Sequence, residues 1–435
     1  MRRPLLAVFV LFAATTGIGA FAHFYPVPVA NVAAAIAYKT PQEQNDLYVR
    51  FVLEAYDIIQ VNYWQKAPDA QMASLFQLSL DKAGSTSTPA VSDRPGIAKQ
   101  LDSAFNSLTG DTQKRQLATA ILQVALYNLA PNGRSELLTA QDQKAVQNTV
   151  ANINPSSNLY NELGVAASSS EAQIREAYTQ KKQALEASSS PAAAAALQRA
   201  SYVNDVLTNS TDKARYDQNK AEPTVFPHVF GSTIYLNVAR MSPQTAGDFI
   251  AALNNASTTP LSSMVIDLRN NIGGSLEQVP NMIGIFMGLN QYEFDIFHQS
   301  DFQPIRSPIA RDPDLDRYKE IAILTNDQTQ SSAEVMTSAL KRFHMAYSVG
   351  TNTRGWGSVE NTFTLTTQID PSTQYALLLV IGLTLRPDNQ PIESSGVDVD
   401  VSIRDKNWQS ELSQYFHSQS LIAAIEKTVT LDPLK

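Results

Sequence analysis

The sequence predicts an α/β core in its C-terminal half, preceded by an all-α region and a small helical module. Residues 231–435 alternate strand and helix patterns, which is typical of α/β folds. Residues 41–150 place apolar side chains at helical spacing, and residues 156–219 form a separate helical unit. We therefore divide the chain into a leader with linker, a helical domain, a helical module and an α/β domain, at residues 1–38, 39–152, 156–219 and 222–435.

The leader begins MRRPLLAVFVLFAATTGIGAFAHFY. Two arginines precede an apolar run from Pro4 to Ala22, which predicts a secretory signal peptide or an uncleaved membrane anchor rather than a buried core helix. Ala20-Phe21-Ala22 matches a cleavage site, but the pattern leaves cleavage and retention both open. Either alternative predicts an exported chain, extracytoplasmic and secreted or membrane-anchored.

Composition narrows the possible functions. The chain has 435 residues, a net charge of −8 and a pI near 5.2, which argues against nucleic acid as a partner. It contains no cysteine, so disulfides and thiolate chemistry are excluded. Its five histidines are scattered singly, and we predict neither a metal site nor a cofactor.

The helical regions are assigned from apolar periodicity. The N-terminal domain has predicted helices at 47–64 and 112–129, with a polar loop at 82–96 between them. The module has predicted helices at 171–187 and 192–207, and residues 211–218 close it. Residues 221–231 have the composition of a linker into the last domain.

The last domain has four predicted strands, at residues 233–239, 263–268, 320–325 and 375–383. Predicted helices lie between them at 242–256 and 332–343. IDLRNNIGGSLEQ, residues 266–278, reads as a strand, a Gly-Gly turn and a helix. Backbone N–H groups of such a turn can stabilise an oxyanion, although the local pattern alone favours a tight turn without a ligand.

A second strand–loop–helix segment is ILTNDQTQSSAEV, residues 323–335. Ser331 falls where the helix begins, as a nucleophile would. The structural alternative is a capping box, with Ser331 as the N-cap and Glu334 three residues later. The local pattern alone favours the cap.

Five segments occur in an order that resembles the C-terminal processing, or tail-specific, serine peptidases: GSTIYLNVARMSPQTAGDFIAAL, VIDLRNNIGGSLEQV, TNDQTQSSAEVMTSAL, SVGTNTRGWGSVENTF and LTLRPDNQPIESSGVDVDVSI. The resemblance covers nearly all of residues 225–405 and implies an α/β peptidase core of the ClpP/crotonase type. LAPNGRSELLTAQD, residues 129–142, also resembles a segment of that family's helical region.

The resemblance implies roles for individual residues. The family nucleophile precedes a glutamate by three positions, which is Ser331 here, and the oxyanion hole would use Gly273, Gly274 and the Ser332 amide. The family's general base is a lysine between two glycines. That position holds Trp356, which cannot accept a proton, and the family glutamine that follows is replaced by Glu360, the one substitute base nearby.

The module at 156–219 stands where many relatives carry a peptide-binding PDZ domain, and it resembles a J-domain. LYNELGV, EAQIREAY and VLTNSTDKARYDQ match J-domain segments. The J-domain's His-Pro-Asp falls at Glu186-Ala187-Ser188 and is absent, which favours a spacer or peptide-binding role over a co-chaperone role.

Two functions follow from the resemblance. One is a non-catalytic relative that binds peptides or protein C-termini, and the other is an active serine endopeptidase with Ser331 as nucleophile and Glu360 as an atypical base. The loss of both the lysine and His-Pro-Asp favours the first. A membrane partner is expected only if the leader stays uncleaved.

Overall fold

The computed structural model describes residues 11–12, 40–188, 190–256 and 260–433. Apart from strand β1, Leu11–Phe12, the predicted leader at 1–38 lies outside the described residues. The chain forms two compact units: unit 1 comprises residues 1–147, 289–308 and 355–396, and unit 2 comprises residues 148–288, 309–354 and 397–435. Among the residues described, no helix combines the length and the apolar character needed to cross a bilayer.

Unit 1 contains a helical bundle. Its helices are α1 Pro41–Asn45, α2 Leu47–Asn62, α3 Asp69–Gly84, α4 Arg94–Asn106 and α5 Asp111–Tyr127, and helix α6 Ala140–Val150 contains the boundary with unit 2. Helix α2 is the centre of the bundle because it is apolar on most sides, with Phe51, Val52 and Ile59 fully buried. The buried Arg94 binds Glu43 and Asp57, so its charge is compensated inside the bundle.

A six-stranded sheet completes unit 1. Besides β1, its strands are β2 Glu136–Thr139, β6 Tyr292–His298, β7 Asp301–Arg306, β10 Ser358–Thr364 and β11 Tyr375–Thr384. Strand β11 is central and pairs antiparallel with β10, β2 and β6. Its side chains Leu377 and Leu379 join the core of the helical bundle.

Unit 2 contains the α/β core that the sequence predicted, and its sheet is mostly parallel. The strands are β3 Val225–Phe230, β4 Thr233–Val238, β5 Ser263–Asp267, β8 Glu320–Thr325, β9 Tyr347–Gly350 and β12 Val401–Ser402. The order is β12-β9-β8-β5-β4-β3, and only β3 runs antiparallel to its neighbour. The helices of this core are α11 Thr245–Asn255, α12 Gln278–Met287, α13 Ser332–Arg342, α14 Trp408–Tyr415 and α15 Gln419–Thr428, with a 3₁₀ helix at Pro313–Arg317.

The helical module also belongs to unit 2. It consists of α7 Leu159–Leu163, α8 Glu171–Glu186, α9 Pro191–Thr208 and α10 Ser210–Asn219. Helices α8 and α9 pack against each other as the two arms of a helical hairpin, and the module has its own apolar cluster around Tyr160, Val203 and Tyr216. The resemblance of this module to a J-domain stays a prediction.

The α/β core and the helical N-terminal region are confirmed, and the predicted strands and helices lie within a few residues of the observed ones. The linker assigned to 221–231 is wrong, because it contains edge strand β3. Pro227 lies inside this strand, and proline is tolerated at a sheet edge but reads as a strand breaker in sequence. The predicted division at 39–152, 156–219 and 222–435 stays a prediction, while segments 289–308 and 355–396 pack with the N-terminal helices in unit 1.

Candidate active site

Ser331 lies in a sharp turn between a buried strand and a buried helix of unit 2. Strand β8 ends at Thr325 and helix α13 begins at Ser332. Ser331 has φ 58° and ψ −126°, a conformation that is strained for a residue with a side chain. A strained turn between strand and helix also presents the nucleophilic serine of α/β-hydrolases. The backbone at Ser331 therefore has the conformation that places a nucleophilic hydroxyl at a helix start in those enzymes.

Glu334 stabilises this turn. Its fully buried carboxylate accepts the Ser331 N–H at 2.8 Å and the Thr353 hydroxyl at 2.5 Å. The Thr353 oxygen in turn accepts the Val397 N–H at 2.7 Å. Because a buried N–H without a partner is costly, Glu334 fixes the strained residue by hydrogen bonding to its backbone.

The hydroxyl of Ser331 is not used as a helix cap. The Glu334 N–H reaches the backbone carbonyl of Ser331 at 2.8 Å, and α13 has no side-chain cap hydrogen bond. The Ser331 Oγ is buried and has no hydrogen-bond partner among the described residues. Of the two hydrogen bonds in the predicted capping box, the Ser331 N–H donates to the Glu334 carboxylate, whereas the Ser331 Oγ accepts none. The hydroxyl is therefore available to another group.

The Gly273–Gly274 turn lies directly beside Ser331. Gly273 has φ 85°, and a Cβ added to it would lie 2.6 Å from the Cβ of Ser331. Gly274 has φ 140°, and its Cβ would lie 1.9 Å from the Met241 carbonyl oxygen. Both positions exclude a side chain, because the backbone approaches its neighbours too closely and the φ values favour glycine.

Two backbone amides at this turn are free to bind an oxyanion. The Gly273 N–H is engaged by the side-chain oxygen of Asn271 at 2.9 Å, so it is not a free donor. The N–H groups of Gly274 and Ser332 donate to no residue that the structure describes. Ser332 is the first residue of α13, where the helix dipole adds partial positive charge. Unit 2 therefore combines a free hydroxyl with two free amides, which is the donor set of acyl-transfer enzymes.

The sequence comparisons agree with this arrangement. Residues 232–403 match the model of Peptidase family S41. A probable CtpA-like serine protease of Staphylococcus epidermidis is 26% identical over 187 residues, and one of Staphylococcus aureus strain COL is 28% identical over 184 residues. Each aligned stretch covers 41% of this chain and 35% of the relative, so the chain spans about a third of the length of these relatives.

Residues 232–403 are therefore similar in sequence to the S41 peptidases. The predicted resemblance to C-terminal processing serine peptidases is thereby confirmed. A solved structure titled "photosystem II D1 C-terminal processing protease" aligns with a TM-score of 0.47 and 14% identity, over 82% of this chain and 92% of that chain.

The S41 lysine position lies in unit 1 and holds Trp356, which is 7% exposed. The guanidinium of Arg134 stacks on the indole with 3.2 Å to the ring centroid. Arg134 also pairs with Glu393 at 2.8 Å, and Glu393 accepts the Gly357 N–H at 2.8 Å. The indole is thus held by a cation–π contact whose cation is itself fixed by a carboxylate.

The glycines that flank Trp356 are required by close packing. A Cβ on Gly357 would lie 2.3 Å from the Glu393 nitrogen, and one on Gly355, which has φ 83°, would meet three backbone atoms of residues 394–396 at 3.0 Å. The Gly-x-Gly pattern of the S41 lysine segment therefore persists in unit 1 for reasons of backbone packing.

Glu360, the predicted substitute base, is also in unit 1. It is fully buried on β10 and accepts the Ser358 hydroxyl at 2.6 Å. That hydrogen bond engages one of the carboxylate oxygens and offsets part of the free-energy cost of burying the side chain. The roles of Ser331, Trp356, Glu360, Gly273, Gly274 and Ser332 stay predictions.

Sequence reasoning missed three residues that shape these segments. Asn271 orients the glycine turn, since its side chain also donates to the Val238 carbonyl at 2.7 Å. Arg134 and Glu393 hold Trp356. The sequence signal for Asn271 is its place two residues before Gly273, whereas Arg134 lies far from Trp356 in the chain and carries no local signal. Across the described residues, no group of three or more His, Asp or Glu side chains could hold a metal ion.

Proposed function

We propose that this S41 relative binds peptide or protein C-terminal segments in the cell envelope and does not act as an efficient peptidase. The observation that carries the proposal is Trp356 at the lysine position, held by Arg134 and Glu393. Indole is a hydrogen-bond donor only, so it cannot take the proton of a serine hydroxyl.

Loss of the base has a large expected effect on rate. A serine hydroxyl is a weak nucleophile until an adjacent base activates it, and general-base catalysis contributes about 10²- to 10⁴-fold. The contacts of Trp356 with Arg134 also argue that the indole is integrated into the packing of unit 1 rather than loosely placed. Binding would then be the function that the fold retains.

An active peptidase with Glu360 as the base is the alternative. The strained backbone at Ser331 and the free amides of Gly274 and Ser332 favour it, because they supply everything except the base. Against it, one Glu360 oxygen is already engaged by Ser358. Catalysis through Glu360 predicts that Glu360→Gln abolishes turnover.

The remaining parts of the proposal rest on sequence. Export follows from the leader, and a membrane partner follows only if the leader is retained. The helical module at 156–219 would serve as a spacer or a peptide-binding element in place of a PDZ domain, without co-chaperone activity, since His-Pro-Asp is absent.

A fluorophosphonate probe tests the proposal, because only an activated serine reacts rapidly with it. We expect the wild-type chain to label no faster than Ser331→Ala, with Ser332→Ala as the matched neighbour control. Binding of short peptides should be measurable by fluorescence anisotropy in both the wild type and Ser331→Ala. Rapid labelling and peptide turnover that disappear in Ser331→Ala would refute the non-catalytic proposal and favour the alternative.

A further inference from the structure

Unit 2 contains a polar cleft that none of the roles above uses. Its volume is about 300 Å³, which is more than a single ion needs. The lining residues come from the segment before the helical module, from the module itself and from the loop after β4, and they are Asn148, Thr149, Asn152, Ile153, Asn154, Arg199, Glu222 and Arg240. We call it the Arg240 cleft.

Arg240 is an uncompensated cation in this cleft. Its Nε and Nη1 atoms are buried and have no hydrogen-bond partner, and no carboxylate of the described residues forms an ion pair with it. Burial lowers the pKa of Arg240, but a guanidinium stays protonated in proteins. A buried charge without a partner is costly, which indicates that a ligand supplies the missing acceptors.

The other charged groups of the cleft satisfy one another. Arg199 lies 3.7 Å from Glu222 and 2.7 Å from Glu162. Glu222 also accepts the hydroxyls of Ser157 and Tyr202. The Asn152 amide is also occupied, because it donates to the carbonyls of Glu222 and Pro223. The lining therefore keeps one positive charge that is not neutralised, together with the side-chain amides of Asn148 and Asn154, which can donate further hydrogen bonds.

The cleft adjoins the nucleophile turn of unit 2, by which we mean residues 331–334 together with the neighbouring Gly273 and Gly274. A Cβ added to Gly274 would lie 3.7 Å from the Cδ of Arg240, so the arginine stem passes beside this glycine. Gly273, the next residue, packs against Ser331. If a peptide binds at Ser331, the adjacent residues of that peptide can therefore reach a positively charged, partly buried cleft.

We propose that the Arg240 cleft binds a carboxylate of a peptide, with Arg240 as the residue that recognises it. The inference rests on the proposed peptide binding, and it adds the chemical group that the protein selects. Guanidinium is planar and matches a carboxylate through two parallel hydrogen bonds. The carboxylate is either the peptide's C-terminus or an acidic side chain near it, and these two sources can be separated.

The test uses the full chain and three fluorescein-labelled mixtures of short random-sequence peptides. One mixture has a free C-terminal acid, one is C-terminally amidated, and one is amidated but ends in aspartate. We expect the free acid to bind about 10- to 100-fold more tightly than the plain amide, the range of a charge-assisted hydrogen bond. Tight binding of the aspartyl amide would instead identify an acidic side chain as the ligand.

Variants assign the effect to the cleft. Arg240→Gln should remove the preference for acid over amide, and Arg240→Lys should keep part of it, since it retains the charge without the planar fork. Arg175→Gln, which alters an exposed ion pair of the helical module, should leave the preference intact. The melting temperature of each variant shows that it is folded.

Equal binding of acid and amide by the wild type would overturn the proposal, as would a preference that survives in Arg240→Gln. Absence of peptide binding in all mixtures would overturn it together with the binding function. If instead the wild type cleaves peptides, and cleaves the free acid faster only while Arg240 is present, the cleft is supported although the non-catalytic proposal fails.

Discussion

The nucleophile turn of unit 2 and the lysine segment of unit 1 have diverged from the S41 pattern to different degrees. The turn keeps Ser331, Glu334 and both glycines, whereas the segment keeps its glycines but replaces the lysine with Trp356. The difference follows from what each residue does for folding. Gly274 and Glu334 are required by close contacts and by a buried N–H, so packing preserves them without selection for catalysis.

A general-base lysine has no comparable structural task. Its side chain can therefore be exchanged if the new group finds its own contacts, as Trp356 does with Arg134. It follows that an intact nucleophile turn is weak evidence for activity.

The largest expected effect is a gain of reactivity in Trp356→Lys. If the missing base is all that silences Ser331, a lysine at the family position should raise fluorophosphonate labelling by about 10²-fold or more. Partial burial would lower the pKa of the new amine, which makes it a usable base. The measurement is the second-order labelling rate over a pH series, with Trp356→Arg as the matched cationic control that cannot act as a base.

The double variant Trp356→Lys with Ser331→Ala must lose the gain. If Trp356→Lys is folded and labels no faster than wild type, a base at position 356 is not enough to activate Ser331. The nucleophile turn would then have lost its reactivity too, and the two regions would not differ in this respect. Loss of activity in Glu360→Gln, starting from an active wild type, would identify the other base.

Sequence patterns located strands β4, β5, β8 and β11 and helices α11 and α13, because buried strands and striped helices are strong local signals. They also placed Gly273 and Gly274 near Ser331 through the family resemblance. The partner of Trp356 could not be predicted, since the Arg134 contact joins residues far apart in the chain. Other strands of the two sheets were missed for two reasons. Polar or proline residues interrupt the alternation in β3, β6, β7 and β10, and β2, β9 and β12 are at most four residues long.

The next effect concerns the glycine turn. Gly274→Ala should lower the free energy of unfolding by about 3 kcal/mol or more, because the new methyl would overlap the Met241 carbonyl and the φ value disfavours alanine. Gly247→Ala is the matched control: it lies in α11 with open space around its Cβ, so it should be neutral or slightly stabilising. Urea denaturation measures both, and equal stability of the two variants would show that packing does not preserve the turn.

A smaller, pH-dependent effect involves Glu293 on β6 of unit 1. Glu293 is fully buried, neither carboxylate oxygen has a hydrogen-bond partner among the described residues, and burial raises its pKa to about 9. It is therefore protonated at neutral pH and cannot serve as the base that Trp356 replaces. In the unfolded chain it has a pKa near 4.5, so unfolding releases a proton between these two values.

Stability from Glu293 is thus complete below its unfolded pKa and falls as the pH rises toward 9. Glu293→Gln should remove this dependence, and its stability relative to wild type should rise by about 4 kcal/mol between about pH 5 and pH 8. Thermal or urea unfolding across that range is the measurement. The exposed Glu426→Gln should parallel wild type. A pH-independent difference for Glu293→Gln would mean that Glu293 is ionised in the folded chain and returns as a possible base.

The smallest expected effect concerns the contact between Arg134 and Trp356 in unit 1, and whether it stabilises the fold. Arg134→Met keeps an apolar stem but removes both the stacked cation and the ion pair with Glu393, and should cost about 1–2 kcal/mol of unfolding free energy. Arg175→Met, which breaks an exposed pair with Glu171, should change little. A double-mutant cycle with Trp356→Leu measures the coupling between the two side chains. If the indole and the guanidinium stabilise each other, Arg134→Met should lower the unfolding free energy less in the Trp356→Leu background than in the wild type. An equal loss of unfolding free energy in both backgrounds would show that Arg134 stabilises unit 1 through Glu393 and not through the indole.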